Sequence, residues 1–377
     1  MLISYQEALK IIQTSIRPLT QTQTLPLLKA LHRIASNAVH AKFALPATPM
    51  SLKEGYGLKH DLGTMTYPLS HPTLHAATPM AVRLSTGDQI PLDVQAVIPE
   101  EDVRLDPKTG VITLNEIPLK GQHIKQKGED IAKGEVLLHP FEKIGAYKIT
   151  ALSSQGIQRV RVIKKPSVSI LSIGDALAEG EIANSNAMSL AARIVEQGGK
   201  IHAILTCKEH TQTILHHLQT LAPHSDILIT TGALSRNDAM RMILNHHVLQ
   251  TLFDQVRLSP AKPSALSLFE GKPILHLPGL PLACMLGFEM LGTPLLRHLL
   301  HAACILPDFM TCINQKKFTC KKNCMNAIPG YSDGKSFVHA PYYEAGRLNI
   351  LSRCNGYTLI EDKEVIEEGE EIAFFYF

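Results

Sequence analysis

The sequence predicts a multi-domain α/β protein whose largest domain is a three-layer α/β unit with a parallel-rich sheet. Strand and helix signals alternate regularly from Pro166 onward, and the strands are apolar runs ending at glycine turns. The chain has 377 residues, more than one hydrophobic core usually serves.

Element by element, Leu9, Ile12 and Ile16 lie on one helical stripe that Pro18 ends. Leu25 to Ala41 reads as a second helix. Between residues 45 and 140, Pro and Gly punctuate short β-branched runs such as AVIPEED and GVITLNEI, the pattern of a β-rich domain. Lys143 to Gln155 reads as a helix closed by Gly156. VSILSIGD, KIHAILT, DILITTG and PILHLPG are then strands, with helices at Met188–Glu196 and Gln212–Leu221 between them. Pro281 to Leu306 is the most apolar long stretch, but it contains Glu289, Pro294, Arg297 and His298 and reads as a buried helix pair, not a membrane span. Beyond Pro307, short strands with turns at Asp333-Gly334 and Asn355-Gly356 suggest a small β domain. The boundaries expected are 1–45 with 130–165, 46–129, 166–305 and 306–377.

Composition narrows the function. Trp is absent, aromatics make up 5% and the formal charge is +3, which argues against a base-stacking or duplex-binding surface. MLISYQEALKIIQ lacks the layout of a signal peptide, and seven scattered Cys read as reduced thiols of a cytoplasmic protein. The His216-His217 and His246-His247 pairs lack further ligands at metal-binding spacing. The basic clusters Arg159/Arg161/Lys164/Lys165 and Lys316/Lys317/Lys321/Lys322 read as solvated faces, with contact to an anionic cofactor as the alternative.

Three loops carry the chemistry. Ser172-Ile173-Gly174-Asp175, Thr230-Thr231-Gly232-Ala233-Leu234-Ser235 and Leu277-Pro278-Gly279-Leu280-Pro281 each follow a strand. Small residues let backbone N–H groups approach an anion, and a following helix N-terminus favours negative charge. Thr231 and Ser235 offer hydroxyls to phosphate oxygens, and Asp175 offers a hard oxygen ligand to a divalent cation. Taken singly, such glycines also serve as plain turn formers.

Along the chain, LPLLKALHRIASNAV, ALPATPMSLKEGYGLKH, STGDQIP, KQKGEDIAKGEVLL and LSSQGIQRVRVIKKPSVSILSIGD occur in that order. Asn184-Ser185-Asn186, TTGALS, SPAKP and LPGLP follow. This succession resembles the signatures of the MoeA/gephyrin-E family over nearly the whole chain. The resemblance implies an elongated linker domain, a β-rich domain, a molybdopterin-binding α/β domain and a C-terminal β-barrel. It also implies a homodimer with its cleft between subunits, working beside other molybdenum cofactor biosynthesis proteins. The reaction implied is insertion of molybdate into adenylylated molybdopterin with release of AMP, assisted by a divalent metal such as magnesium. The implied catalytic residues are Glu54, Thr86, Lys127, Asp238 and Lys262. Those implied to bind the molybdopterin are Gly174, Asp175, Asp226, Thr231, Gly232, Ser235, Pro278 and Gly279, with Asp175, Asp226 and Asp238 as metal ligands. Glu129 and Asp130 stand in the GEDI signature.

The departures are specific. Glu54 replaces the family's Asp, Ala176 replaces a Glu, and Met240 falls where a second acidic residue is expected. Ser259-Pro260-Ala261-Lys262-Pro263 keeps one of two lysines and replaces a glycine, and Leu280 replaces an amide. A shift of about 1 Å at a well-placed group can cost about a hundredfold in rate. Two other functions fit these changes or this architecture. One is a degenerate paralogue that binds molybdopterin or a partner as a scaffold; the other is a CinA-like nucleotide pyrophosphatase.

Overall fold

Six strands form the central sheet of the computed structural model, which describes residues 2–71, 78–245, 248–341 and 343–377. The chain divides into two units, one of residues 24–31 and 35–161, the other of residues 1–23, 32–34 and 162–377. His246-His247 lies outside the described residues.

In the second unit, β1 (Ser167–Ile173), β2 (Lys200–Cys207), β3 (Ile227–Thr231), β4 (Gln250–Asp254), β5 (Ala265–Phe269) and β6 (Lys272–Leu277) lie in the order β2-β1-β3-β6-β5-β4. The first four in that order are parallel, and β5 and β4 add an antiparallel edge. The strands are apolar because both faces are covered. One face meets α1 (Tyr5–Ser15), α2 (Ser185–Glu196) and the segment after Pro281 through Ile12, Leu190, Ile194, Phe288 and Leu296. The other meets α3 (Thr211–Leu221) and α4 (Ala239–Leu244) through Ile214, Leu218, Met240 and Ile243. A capping box starts α1: Ser4 Oγ accepts from Glu7 N, and the Glu7 carboxylate accepts from Ser4 N.

Pro281 to Leu299 forms the expected buried helical segment, in three pieces. An α turn (Pro281–Gly287) passes through a π turn (Phe288–Gly292) into a second α piece (Thr293–Leu299). The Glu289 carboxylate in that π turn is 2% exposed and takes both Nε and Nη2 of Arg193 on α2, at 2.7 and 2.9 Å. Among the described residues no helix is long and apolar enough to cross a membrane.

The same unit ends in a five-stranded closed barrel of Met310–Asn314, Met325–Ser332, Ser336–His339, Gly356–Ile360 and Glu371–Tyr376. Phe337, Phe374 and Ile372 fill it. Asp333-Gly334 makes its expected hairpin turn, with Asp333 Oδ1 accepting from Lys335 N and Ser336 N. Asn355-Gly356 is no turn. Asn355 instead exchanges two side-chain hydrogen bonds with the Ser332 backbone, and Gly356 starts a strand.

The first unit is β-rich as expected. Gly55–Lys59 lies between Met80–Leu84 and Val94–Pro99, and Val111–Leu114 lies between Thr66–Pro68 and Val103–Asp106. Tyr56, Leu58, Tyr67 and Ile112 form its core. The helix expected over Leu25–Ala41 is absent. A strand ends at Pro26, one 3₁₀ turn spans Leu27–Ala30, and Leu27 N bonds Gln158 O. Leu28, which the helical stripe would bury, is 79% exposed: tertiary pairing overrides the local period. The helix before Gly156 does form, as Ala146–Ser154.

His276 on β6 is fully buried, with Nδ1 at 2.8 Å from Thr230 Oγ1 and Nε2 at 2.8 Å from Ser267 Oγ, so it bridges β3, β6 and β5. Burial, aided by the Arg241 charge, pushes its pKa down to about 3. The unfolded chain therefore binds a proton near pH 6.5 that the folded chain refuses. Stability should fall as pH drops from about 6.5 toward 3, and His276→Gln should flatten that part of the curve in urea titrations.

Candidate functional site at the C-terminal edge of the parallel strands

The loops after β1, β3 and β6 meet at one edge of the sheet. Gly232 N donates to Leu277 O at 3.1 Å, and Gly174 N donates to Cys207 O at 3.0 Å. At Gly232 φ is +91°, and a Cβ there would sit 2.4 Å from Ile173 O. Gly279 packs on Gly232, where its own Cβ would be 3.3 Å from the Gly232 Cα. Only glycine lets β1, β3 and β6 end this close together.

Polar side chains organise the edge. Asn184 caps α2 by accepting from Ala187 N, accepts from Ser172 Oγ, and donates to Thr206 Oγ1. Asn186 Nδ2 donates to Gly279 O at 2.8 Å. Thr231 is buried with its hydroxyl directed to Ser172 Oγ, so Ser235 is the exposed hydroxyl of that loop. Asp175 Oδ1 accepts from Glu209 N, Glu209 Oε1 accepts from Ala239 N, and Asp238 Oδ2 accepts from Ser235 N. Each of these three carboxylates thus spends one oxygen on a backbone N–H. Pro278 is buried under the loop, while Gly279 and Leu280 face outward.

Arg241, 5% exposed on α4, holds two site loops together. Its guanidinium donates to Leu234 O at 2.8 Å and to Pro263 O at 3.2 Å, and it is ion-paired with Asp254 on β4. Exposed Lys262 stands in the second of these loops. Ala233 and Ala261 hold φ of +54° and +81°, a left-handed backbone that usually falls to glycine.

Two expectations need correction. Asp226 precedes β3 at the opposite sheet edge, its carboxylate accepting from Ser167 N at 2.8 Å. It lies five residues before Thr231 in an extended strand, about 16 Å away, so it cannot share a ligand with Gly232. Met240 is no vacant acid position either: it is fully buried among Ile214, Leu218 and Ile243. The sequence reading missed Glu209 and Arg241. Glu209 was accessible as a carboxylate two residues past the end of β2, and Arg241 as a lone charge inside the apolar run AMRMIL.

In the other unit, Glu54 and Thr86 share one strand end. Gly55 pairs with Leu84, and the Ser85–Asp88 turn is fixed by Gly87 N to Ser51 O at 2.9 Å. Lys127 is exposed in a turn where the Glu129 carboxylate accepts from Gln126 N, and Asp130 is paired with Lys125.

Among the described residues no three His, Cys, Asp or Glu side chains converge as a metal cage. Asp175, Glu209 and Asp238 still supply hard oxygen donors at one edge, which suits a cation that keeps waters and binds through one or two carboxylates and substrate phosphates.

Fold and site together define a multi-domain protein built on an α/β domain whose strand-end loops gather at one sheet edge. Residues 169–298 match the family described as "Probable molybdopterin binding domain", and residues 3–156 match "MoeA N-terminal region (domain I and II)". The chain belongs to the MoeA family. It is 29% identical over 249 residues to the molybdopterin molybdenumtransferase of Staphylococcus aureus strain MSSA476, spanning 63% of this chain and 59% of that relative. It is 28% identical over 298 residues to the Haemophilus influenzae molybdopterin molybdenumtransferase, spanning 74% and 73%. The fold matches the molybdopterin biosynthesis MoeA protein of Pyrococcus horikoshii OT3 over the full length of both chains, with a TM-score of 0.85 at 22% identity.

Two substitutions test the geometry. Gly232→Ala should cost about 3 kcal/mol or more, because the added methyl meets the Ile173 carbonyl at a backbone angle that L residues avoid. Arg241→Met should cost roughly 3–5 kcal/mol by leaving the Asp254 charge without its partner. Unfolding free energies from urea titrations within about 0.5 kcal/mol of the parent would contradict either assignment.

Proposed function

We propose that this chain acts in molybdenum cofactor biosynthesis, inserting molybdate into adenylylated molybdopterin with release of AMP. The observation that carries this reading is the glycine-lined edge, where the loops at Gly174, Gly232 and Gly279 meet beside Ser235, Asp175, Glu209 and Asp238. Loop backbone N–H groups and the Ser235 hydroxyl would take phosphate oxygens, and Lys262 would balance their charge. Magnesium, when bound, would be held by Asp175 and Asp238 with Glu209 beside them, and would neutralise pyrophosphate charge. Glu54, Thr86 and Lys127 would complete the cleft in a homodimer. The setting proposed is cytoplasmic, with other cofactor biosynthesis proteins supplying the substrate and taking the product.

A specific observation favours slow turnover. Ala176 and Leu280 have lost polar groups at this edge, and each remaining carboxylate is half engaged by backbone. A scaffold that binds molybdopterin without turnover is therefore the second reading. A nucleotide pyrophosphatase reading accounts for the α/β domain and leaves residues 3–156 without a role.

AMP release from adenylylated molybdopterin with molybdate and magnesium separates these readings. The expected result is slow release, lowered about a hundredfold in Lys262→Ala and raised in Ala176→Glu. Tight molybdopterin binding with no AMP release in either parent or Ala176→Glu would establish the scaffold. Met240→Asp should not rescue activity: burying a carboxylate in that core should cost about 3 kcal/mol or more, read as a lower thermal midpoint.

A further inference from the structure

At the sheet edge opposite the glycine loops, a polar cavity of about 270 Å³ is lined by Gln21, Lys164, Lys165, Lys200, Asp226 and Lys272 among others. Lys200 and Lys272 are the first residues of β2 and β6, Lys164 and Lys165 lead into β1, and Asp226 leads into β3. The parallel strands thus bring four ammonium groups from three separate segments to one hollow. His224 also lines it, with its ring 5.4 Å from that of His202.

A purely structural cluster would pair these lysines with carboxylates. Among the described residues none of the four is in an ion pair. Asp226 is the one carboxylate of the lining, and it is occupied by Ser167 N rather than by a lysine. Lys164 Nζ reaches only the neutral Gln21 Oε1, at 3.3 Å. The C-terminus of α2, just before Lys200, accounts for one cation through its partial negative charge. It does not account for the others. Like charges held close in a concave surface raise the local potential and concentrate counter-anions.

We infer that this hollow is an anion site for a phosphate group, free or as the monoester of a small molecule. It stands apart from the edge assigned above, some 16 Å along β3, and does not depend on the proposed reaction. The ammonium groups would hold the phosphate oxygens, and Asp226 would weaken binding by repulsion.

The test is titration with inorganic phosphate and, separately, phenyl phosphate, at constant ionic strength against chloride, read by calorimetry and thermal midpoint. The expected result is saturable phosphate binding to the full chain. Lys200→Ser combined with Lys272→Ser should weaken it at least about tenfold, and Asp226→Asn should tighten it several-fold. Asp226→Asn keeps an acceptor for Ser167 N, so its fold should survive, and circular dichroism of each variant is the check. Competition by phenyl phosphate would identify a monoester as ligand; response to inorganic phosphate alone would identify the free ion. Equal effects of phosphate and chloride would overturn the site. So would binding that falls in Lys262→Ala but is unchanged in the Lys200/Lys272 variant.

Discussion

Three strand ends are held so close at Gly232 that no side chain fits between them, and the site follows from that contact. Its hydrogen faces the Ile173 carbonyl, its N–H is bonded to Leu277 O, and Gly279 packs on its Cα. Because β1, β3 and β6 finish together, the loops that follow them meet at one edge. Asp175 is then tied to Glu209, Glu209 to Ala239 and Asp238 to Ser235, each by a single hydrogen bond from a backbone N–H to a carboxylate. Oxygen atoms fixed in this way are presented to a ligand with little reorganisation, the condition under which electrostatic stabilisation is most effective.

The interior of the α/β domain is specified by polar groups as well as by apolar packing. His276 is satisfied on both ring nitrogens by neighbouring strands, Arg193 grips Glu289 with two parallel bonds, and Arg241 takes two carbonyls and a carboxylate. Aliphatic side chains of similar size exchange places at modest cost, whereas these groups have few alternative partners. Each therefore fixes a relation that packing leaves open: strand register at His276, the angle of α2 at Glu289, and loop position at Arg241.

Much of this architecture was legible in the residues. Apolar strands ending at Gly174, Gly232 and Gly279 announced a parallel sheet with a common ligand edge, because covered strands lack polar alternation and tight exits require glycine. Leu25–Ala41 misled because its apolar spacing suits a helix while its backbone bonds are made at long range. Asp226 misled because a carboxylate beside a strand has the same sequence signature at either end. Met240 misled because a motif position carries no information about which side of a short helix it occupies. Glu209 and Arg241 act through contacts of 30 and 22 residues in sequence separation, invisible to local pattern.

The π turn at Phe288–Gly292 has a consequence for the length of its helix. A π turn holds one more residue than an α turn, so every side chain after it is rotated by about 100° relative to an uninterrupted helix. Glu289 is anchored to Arg193 on one side of that extra residue, and Leu295, Leu296 and Leu299 are anchored in the core on the other. Gly292 is bound to the turn as well, since a Cβ there would lie 2.3 Å from the Phe288 ring. Deleting a single residue would make the helix regular and put its two anchors out of phase, so this stretch can change its letters far more readily than its count.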